Sequence, residues 1–322
     1  MGYSKDHKET RKLPNQSTEK TNTIENTMYF HYAGLTNTGL IRDHNEDAYK
    51  VPEATDADTL LTKGYLYILA DGMGGHKKGE VASAVTIDTV NEQYYAVIEP
   101  LTEDTPEEAI IEALTQAIQK ANFDVMDVTE GGGTTVVAAV LFGDSLVAMN
   151  VGDSRAYLLR NNELSLLTRD HSLVSRLVEM GKITEEEALT HPRRNVLYQA
   201  LGQGTEVEIH TFNQKLQVND VIILCSDGLW GEVGESELKE ILYNAPSPRT
   251  AAQQLIDMAN ASGGPDNITA IIIQVSDQDT PAPVSSAQQN KNLDDTNPSL
   301  KINRKKPHTL PEGKYHTDKN LQ

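Results

Sequence analysis

Between residues 28 and 276 the apolar positions gather into short runs: residues 65–70, 136–142, 146–151, 156–159, 221–225 and 268–275. Runs this short, rich in Val, Ile and Leu and bounded by Gly, Asp and Asn, predict strands. Asn161-Asn162 stands between Tyr157-Leu158-Leu159 and Leu164-Ser165-Leu166-Leu167, which reads as a β-hairpin turn. Elsewhere the period lengthens. Thr105-Pro106-Glu107-Glu108 reads as a capping box with proline at the first helical position, and Ile110, Leu114, Ala117 and Ile118 continue one apolar face. Further helices are predicted over about residues 80–97 and 250–261. The strands come in adjacent runs instead of alternating with helices, which predicts an α+β fold with antiparallel sheets. No internal repeat is visible.

Outside this block the pattern fails. Residues 1–27 and 277–322 are rich in Lys, Asn, Thr, Gln, Pro and Ser and carry few large apolar side chains. Neither can bury enough surface to offset its chain entropy, so both are expected to be disordered, flanking a single catalytic domain over 28–276. The basic group Lys301, Arg304, Lys305 and Lys306 reads either as solvated tail or as a docking patch for an acidic partner.

Charge sharpens the picture. The chain has 322 residues, with 28 Lys and Arg against 47 Asp and Glu, a net charge of −19. The two ends hold twelve of those basic residues and ten of the acidic ones, leaving 16 against 37, or −21, in the central block. A surface this acidic argues against a nucleic-acid partner. Its carboxylates are either solvated surface or a cluster that binds cations. The single cysteine, Cys225, excludes an intrachain disulfide and fits a reducing compartment. No apolar run approaches the roughly 20 residues needed to span a bilayer, and the first 26 residues hold no signal-peptide core. The expectation is a cytoplasmic monomer without a membrane role.

The aspartates fall in a pattern. Asp71 follows Tyr65-Leu66-Tyr67-Ile68-Leu69-Ala70 and precedes Gly72; Asp153 follows the run ending in Val151-Gly152; Asp227 follows Cys225-Ser226 and precedes Gly228. Asp266 stands just ahead of the last apolar run, and Asp47 closes Arg42-Asp43-His44-Asn45-Glu46-Asp47. One Asp-Gly after a strand is an ordinary turn. Five aspartates at the mouths of separate strands would repel one another unless cations sit among them. Oxygen donors in that number suit Mg²⁺ or Mn²⁺; zinc prefers Cys and His, and no H-E-x-x-H is present. Two such ions about 3.5–4 Å apart acidify a bridging water and stabilise a phosphoryl group under attack. The reaction class that follows is phosphoester hydrolysis without a covalent enzyme intermediate.

Six segments, RDHNED (42–47), DGMGGH (71–76), GGTTV (132–136), VGDSRAYLL (151–159), CSDGLW (225–230) and GGPDNIT (263–269), resemble in order the motifs of the metal-dependent protein phosphatases of the 2C type, more closely their bacterial branch. The resemblance implies a four-layer α-β-β-α sandwich of two packed antiparallel sheets flanked by helices. It implies a serine/threonine phosphatase with two tightly bound Mg or Mn ions and a weaker third, acting on phosphorylated proteins and opposing a Ser/Thr kinase. A hydroxide bridging the metals would attack phosphorus. Asp71 is implied as the bridging ligand, assisted by the Gly72 carbonyl, with Asp47 on the second metal and Asp227 and Asp266 on the first. Glu46 would act through metal-bound water, and Asp153 with Asp227 would hold the third ion.

Arg42 corresponds to the phosphate clamp, a planar fork that suits a phosphoryl dianion. Asn267, Thr134 and Thr135 would orient the ligands from behind. Relatives outside the bacterial branch place a histidine directly after the Asp-Gly, where this chain has Met73. His76 is therefore left with two open roles, general acid for the leaving oxygen or substrate positioning. Residues 171–203 correspond to a flap beside the site. Thr184 and Glu187 form a capping box there, and Arg193-Arg194 add positive charge that could attract phosphoproteins.

A cysteine-dependent phosphatase needs Cys, five residues and then Arg, but Cys225 is followed by Ser-Asp-Gly-Leu-Trp and Gly231. No P-loop motif is present, and a metal-dependent nuclease would need a basic track. The remaining alternative is a catalytically silent phosphoprotein-binding regulator on the same fold. The retention of five aspartates and Arg42 favours the enzyme.

Overall fold

The computed structural model describes residues 28–53, 57–74 and 77–278. The extension 1–27, most of the tail 277–322 and His76 lie outside the described residues.

Strand β1 (Tyr29–Asn37) leads through the loop carrying Arg42 and Glu46 into β2 (Asp47–Lys50). The short α1 (Ala57–Lys63) precedes β3 (Tyr65–Met73), and two long helices follow, α2 (Lys77–Val97) and α3 (Glu107–Thr129). A run of strands comes next: β4 (Gly133–Thr134), β5 (Val136–Phe142), β6 (Ser145–Val151), β7 (Arg155–Arg160) and β8 (Glu163–Leu166). After the small helices α4 (Leu173–Glu179) and α5 (Glu185–Leu189) come β9 (His210–Lys215) and β10 (Val221–Cys225). The chain closes with α6 (Asp227–Trp230), α7 (Glu235–Asn244), α8 (Pro248–Ala261) and β11 (Ile268–Ser276).

One sheet has the order β1-β11-β10-β7-β8; the other has β2-β3-β5-β6-β9, with β4 beside β3. Every strand pairing is antiparallel. Side-chain parity builds the layers. Leu66, Ile68, Val136, Ala138 and Val140 pack under α2 and α3, with Ile110, Leu114 and Ile118 of α3 as partners. Tyr67, Leu69, Val137 and Ala139 face the other way, onto Leu158, Ile222, Leu224, Ile271 and Ile273 of the opposing sheet. Ile223, Cys225, Ala270 and Ile272 then meet Leu238, Leu255 and Ile256 of α7 and α8. The result is a four-layer α-β-β-α sandwich. Because the inner strands are covered on both faces, their sequences read as continuous apolar runs without alternation.

The hairpin turn at Asn161-Asn162 is present between β7 and β8, with φ of 51° and 62°. Two consecutive left-handed residues make a type I′ turn, and asparagine tolerates that conformation. The capping box expected at Thr105 is absent. Pro106 is the extended residue before the helix, at φ −68° and ψ 144°, so it occupies the cap position and not the first helical one. The Thr105 hydroxyl instead accepts the Thr102 N–H at 2.8 Å and closes the preceding turn.

Candidate active site

Antiparallel pairing places alternate strand starts and ends on one edge of each sheet, and the aspartates gather there. Asp47 stands opposite Asp71 in the β2–β3 register. Val136 pairs with Val151, which brings Thr135 beside the turn carrying Asp153. Cys225 pairs with Ala270, and the Ser226 N–H extends that ladder to the Thr269 carbonyl, so Asp227 and Asp266 lie at adjacent strand ends.

The Asp71 backbone is held from both sides. Its N–H donates to Thr135 Oγ1 at 3.0 Å, and its carbonyl accepts from Thr134 Oγ1 at 2.8 Å. Thr135 Oγ1 in turn meets Ser154 Oγ at 2.7 Å. At Gly72 a β-carbon would stand 2.2 Å from the Gly79 carbonyl oxygen, so only glycine allows the start of α2 to approach this closely. The Gly72 N–H donates to the Glu46 carbonyl at 3.1 Å. Asn267 fixes the loop before β2: its Oδ1 accepts the Glu46 N–H at 2.8 Å, and its Nδ2 donates to the Thr38 and His44 carbonyls at 2.9 Å each.

Arg42, Glu46, Asp71, Gly72, Thr135, Asp153, Asp227 and Asp266 line one cavity of about 670 Å³. Asp47 does not. Its Oδ2 accepts hydrogen bonds from Thr269 Oγ1 at 2.6 Å and Ser226 Oγ at 2.8 Å, while its buried Oδ1 has no hydrogen-bond partner. The resemblance assigns Asp47 a direct metal contact and Glu46 a contact through water; the structure puts Glu46 on the cavity wall and Asp47 buried behind it. Neighbouring residues entering a strand point to opposite sides, so the two carboxylates do not share one wall.

Burial pushes the Asp71 carboxyl well above the usual range, and Asp47, Asp227, Asp153 and Asp266 raise it further. Asp153 and Asp227 are raised for the same reasons, burial first and then their acidic neighbours. Burial lifts Asp47 to about 7, although the Thr269 and Ser226 hydroxyls oppose the shift. Arg42 gives the cluster its counter-charge, donating from Nη2 to Asp266 Oδ2 at 2.6 Å. Among the described residues no three acids converge into a closed coordination sphere; they ring an open cavity.

The donor set fits a hard divalent ion. It is all oxygen, and it gathers the carboxylates of Glu46, Asp71, Asp153, Asp227 and Asp266 around one cavity with the Arg42 guanidinium as counter-charge.

The family model for protein phosphatase 2C matches residues 43–267. The serine/threonine phosphatase stp of Listeria welshimeri is 41% identical over 250 residues, covering 76% of this chain and 95% of the relative. The chain belongs to the protein phosphatase 2C family. Among solved structures, the serine/threonine phosphatase Stp1 from Staphylococcus aureus superposes with a TM-score of 0.68 at 35% identity, covering 76% of this chain and 95% of that one. The catalytic domain of the serine/threonine protein phosphatase PstP, in complex with two manganese ions, gives 0.64 at 33% identity, covering 78% and 100%.

Several residues of this 2C-type phosphatase site are not singled out by the motifs alone. Trp230 donates from Nε1 to the Asp153 carbonyl at 3.0 Å, and the Arg155 guanidinium lies 3.6 Å from the Trp230 ring centre. Arg155 is anchored by Asp170 at 2.7 Å. Both Trp230 and Arg155 sit inside quoted motifs, but their contact crosses 75 positions of sequence and is visible only in three dimensions. Gly79 is another. A β-carbon there would come within 2.7–2.9 Å of the Glu46 carboxylate. Gly79→Ala is expected to fold, since only a side-chain end must move, and to weaken Mn²⁺ binding about tenfold or more in calorimetry.

The flap region carries α4 and α5, and its Asn195, Leu197, Tyr198, Gln199, Ala200 and Gln203 form the far wall of the cavity. The Thr184–Glu187 capping box is present. Arg193 and Arg194 are exposed and do not line the cavity. Cys225 is fully buried within β10, and burial pushes its thiol up to about 12. Its thiolate is therefore not available near neutral pH. Cys225→Ser is expected to keep at least half of the phosphatase activity while lowering Tm by a few degrees, checked by initial rates and thermal melts.

Proposed function

We propose that this serine/threonine protein phosphatase hydrolyses phosphoserine and phosphothreonine with Mg²⁺ or Mn²⁺, and that the substrates are products of a Ser/Thr kinase in the same cell. The observation that carries the reading is one cavity walled by Glu46, Asp71, Asp153, Asp227 and Asp266 with Arg42 at its edge. Asp71, the Gly72 carbonyl and Glu46 would hold one ion, and Asp71, Asp227 and Asp266 another. Asp153 with Asp227 would take a weaker third. Ions of this kind, when bound, acidify a water ligand and neutralise phosphoryl charge.

The protein's own part is positioning. Thr134 and Thr135 fix the Asp71 backbone, and Asn267 fixes Glu46. Asp47, buried behind the cavity wall, accepts from Ser226 and Thr269. Arg42 spends one donor on Asp266, and a guanidinium has five, so it can hold a phosphoryl group while staying paired.

The test is phosphate release from a phosphothreonine peptide. Release that requires Mn²⁺ and is absent in Asp71→Asn supports the proposal. Binding of the peptide without turnover at any Mn²⁺ concentration would establish the silent regulator instead.

A further inference from the structure

Nine large hydrophobic side chains are exposed among the described residues, and the most exposed, Ile41 at 71%, belongs to the lining of the catalytic cavity. Its neighbour Leu40 is 65% exposed. Across the cavity, the flap offers Leu197 in the lining, with Val196 beside it 46% exposed. An acidic domain that leaves adjacent aliphatic side chains in water at the mouth of its active site presents an apolar lip.

The lip is held by its backbone. The Leu40 N–H donates to the Gly264 carbonyl at 2.8 Å, and the Gly39 N–H to Asn37 Oδ1 at 2.9 Å. Gly39 adopts φ +79°, and a β-carbon there would stand 2.1 Å from the Asp266 carbonyl oxygen. The turn is thus pressed against the segment that carries Asp266, and Leu40 and Ile41 are presented in a fixed place. Both immediately precede Arg42, the residue that would hold the phosphate.

We infer that Leu40 and Ile41 form a specificity lip for phosphoproteins with a large aliphatic side chain within two residues of the phosphorylated Ser or Thr. The inference rests on the phosphatase reading. An extended substrate advances about 3.3–3.6 Å per residue, so with its phosphate at Arg42 side chains one or two residues away come within reach of the two residues before Arg42. An aliphatic flank recovers apolar area on Ile41, whereas an acidic flank would be repelled by the carboxylates of the cavity. Partial burial of one Leu side chain in this setting corresponds to a preference of about tenfold.

The experiment uses the full chain with Mn²⁺ and a set of phosphothreonine peptides. Four carry a single Leu at −2, −1, +1 or +2, and the reference carries Ser at all four positions. At least one Leu peptide should exceed the reference five- to tenfold in kcat/KM, mainly through KM. In the double variant Leu40→Ser, Ile41→Ser that ratio should fall within twofold of unity. Each ratio compares two peptides on one enzyme, so a uniform loss from any disturbance of Arg42 cancels. Equal rates on all peptides in the wild type, or a preference that survives the double substitution, would overturn the lip while leaving the phosphatase reading intact. Failure to turn over any peptide, and p-nitrophenyl phosphate as well, would overturn the reading on which it rests.

Discussion

Asp71→Asn is expected to remove phosphatase activity by at least about 10³-fold and, with divalent cations chelated, to raise Tm. The two effects share one cause. Asp71 is partly buried on the cavity wall, and its ionised form is opposed by burial and then by Asp47, Asp227, Asp153 and Asp266. Asparagine keeps the shape and removes the charge. At this domain size each kcal/mol of relief raises Tm by about 2–4 °C. The gain should depend on pH with a definite sign. A carboxyl whose folded pKa is raised gives up stability as pH rises from its unfolded value of about 4 through its folded one. Melts in chelator should therefore show little benefit from Asp71→Asn near pH 4 and a clear one at pH 8. Equal melting temperatures at pH 8 would mean that Asp71 does not carry the cluster's repulsion.

Arg42→Ala is expected to lower kcat/KM on phosphopeptides by about 10²–10³-fold, the range typical of removing one pre-positioned charged donor. Arg42→Lys should recover little of it, because an ammonium offers a point charge in place of a planar fork. Arg42 is half exposed and pairs only with Asp266 among the hydrogen bonds of the described residues, so neither change should cost much stability. A circular dichroism melt alongside the kinetics separates a lost phosphate contact from a damaged fold. Retention of activity within twofold in Arg42→Ala would place phosphate binding elsewhere in the cavity.

How much of this was legible in the sequence depends on what each residue's neighbours are. The inner strands were readable as strands because they are apolar on both faces, but that same lack of alternation hid which sheet each joins. The edge strands β1, β8 and β9 are polar or half-exposed, and β9 (His-Thr-Phe-Asn-Gln-Lys) gives no run long enough to mark it. Asp71, Asp153, Asp227 and Asp266 were visible because each ends or begins an apolar run, a purely local signal. Which of Glu46 and Asp47 lines the cavity was not, since it depends on which way the chain turns as it enters β2. Gly79 and Trp230 act across the fold, on Glu46 and on Asp153, and no spacing rule links them. The Thr105 cap failed for a local reason: Pro106 stays extended and takes the cap position, leaving the Thr105 hydroxyl to accept from Thr102.

The central claim is that the ring of carboxylates is a divalent-cation site serving phosphoester hydrolysis. It is tested most directly by titrating the chelator-treated full chain with Mn²⁺ and counting bound ions by electron paramagnetic resonance. Two tightly bound ions per chain, with a weaker third, are expected in the wild type, and loss of the tight pair is expected in Asp71→Asn. Binding that is absent in the wild type, or unchanged by Asp71→Asn, would contradict the account.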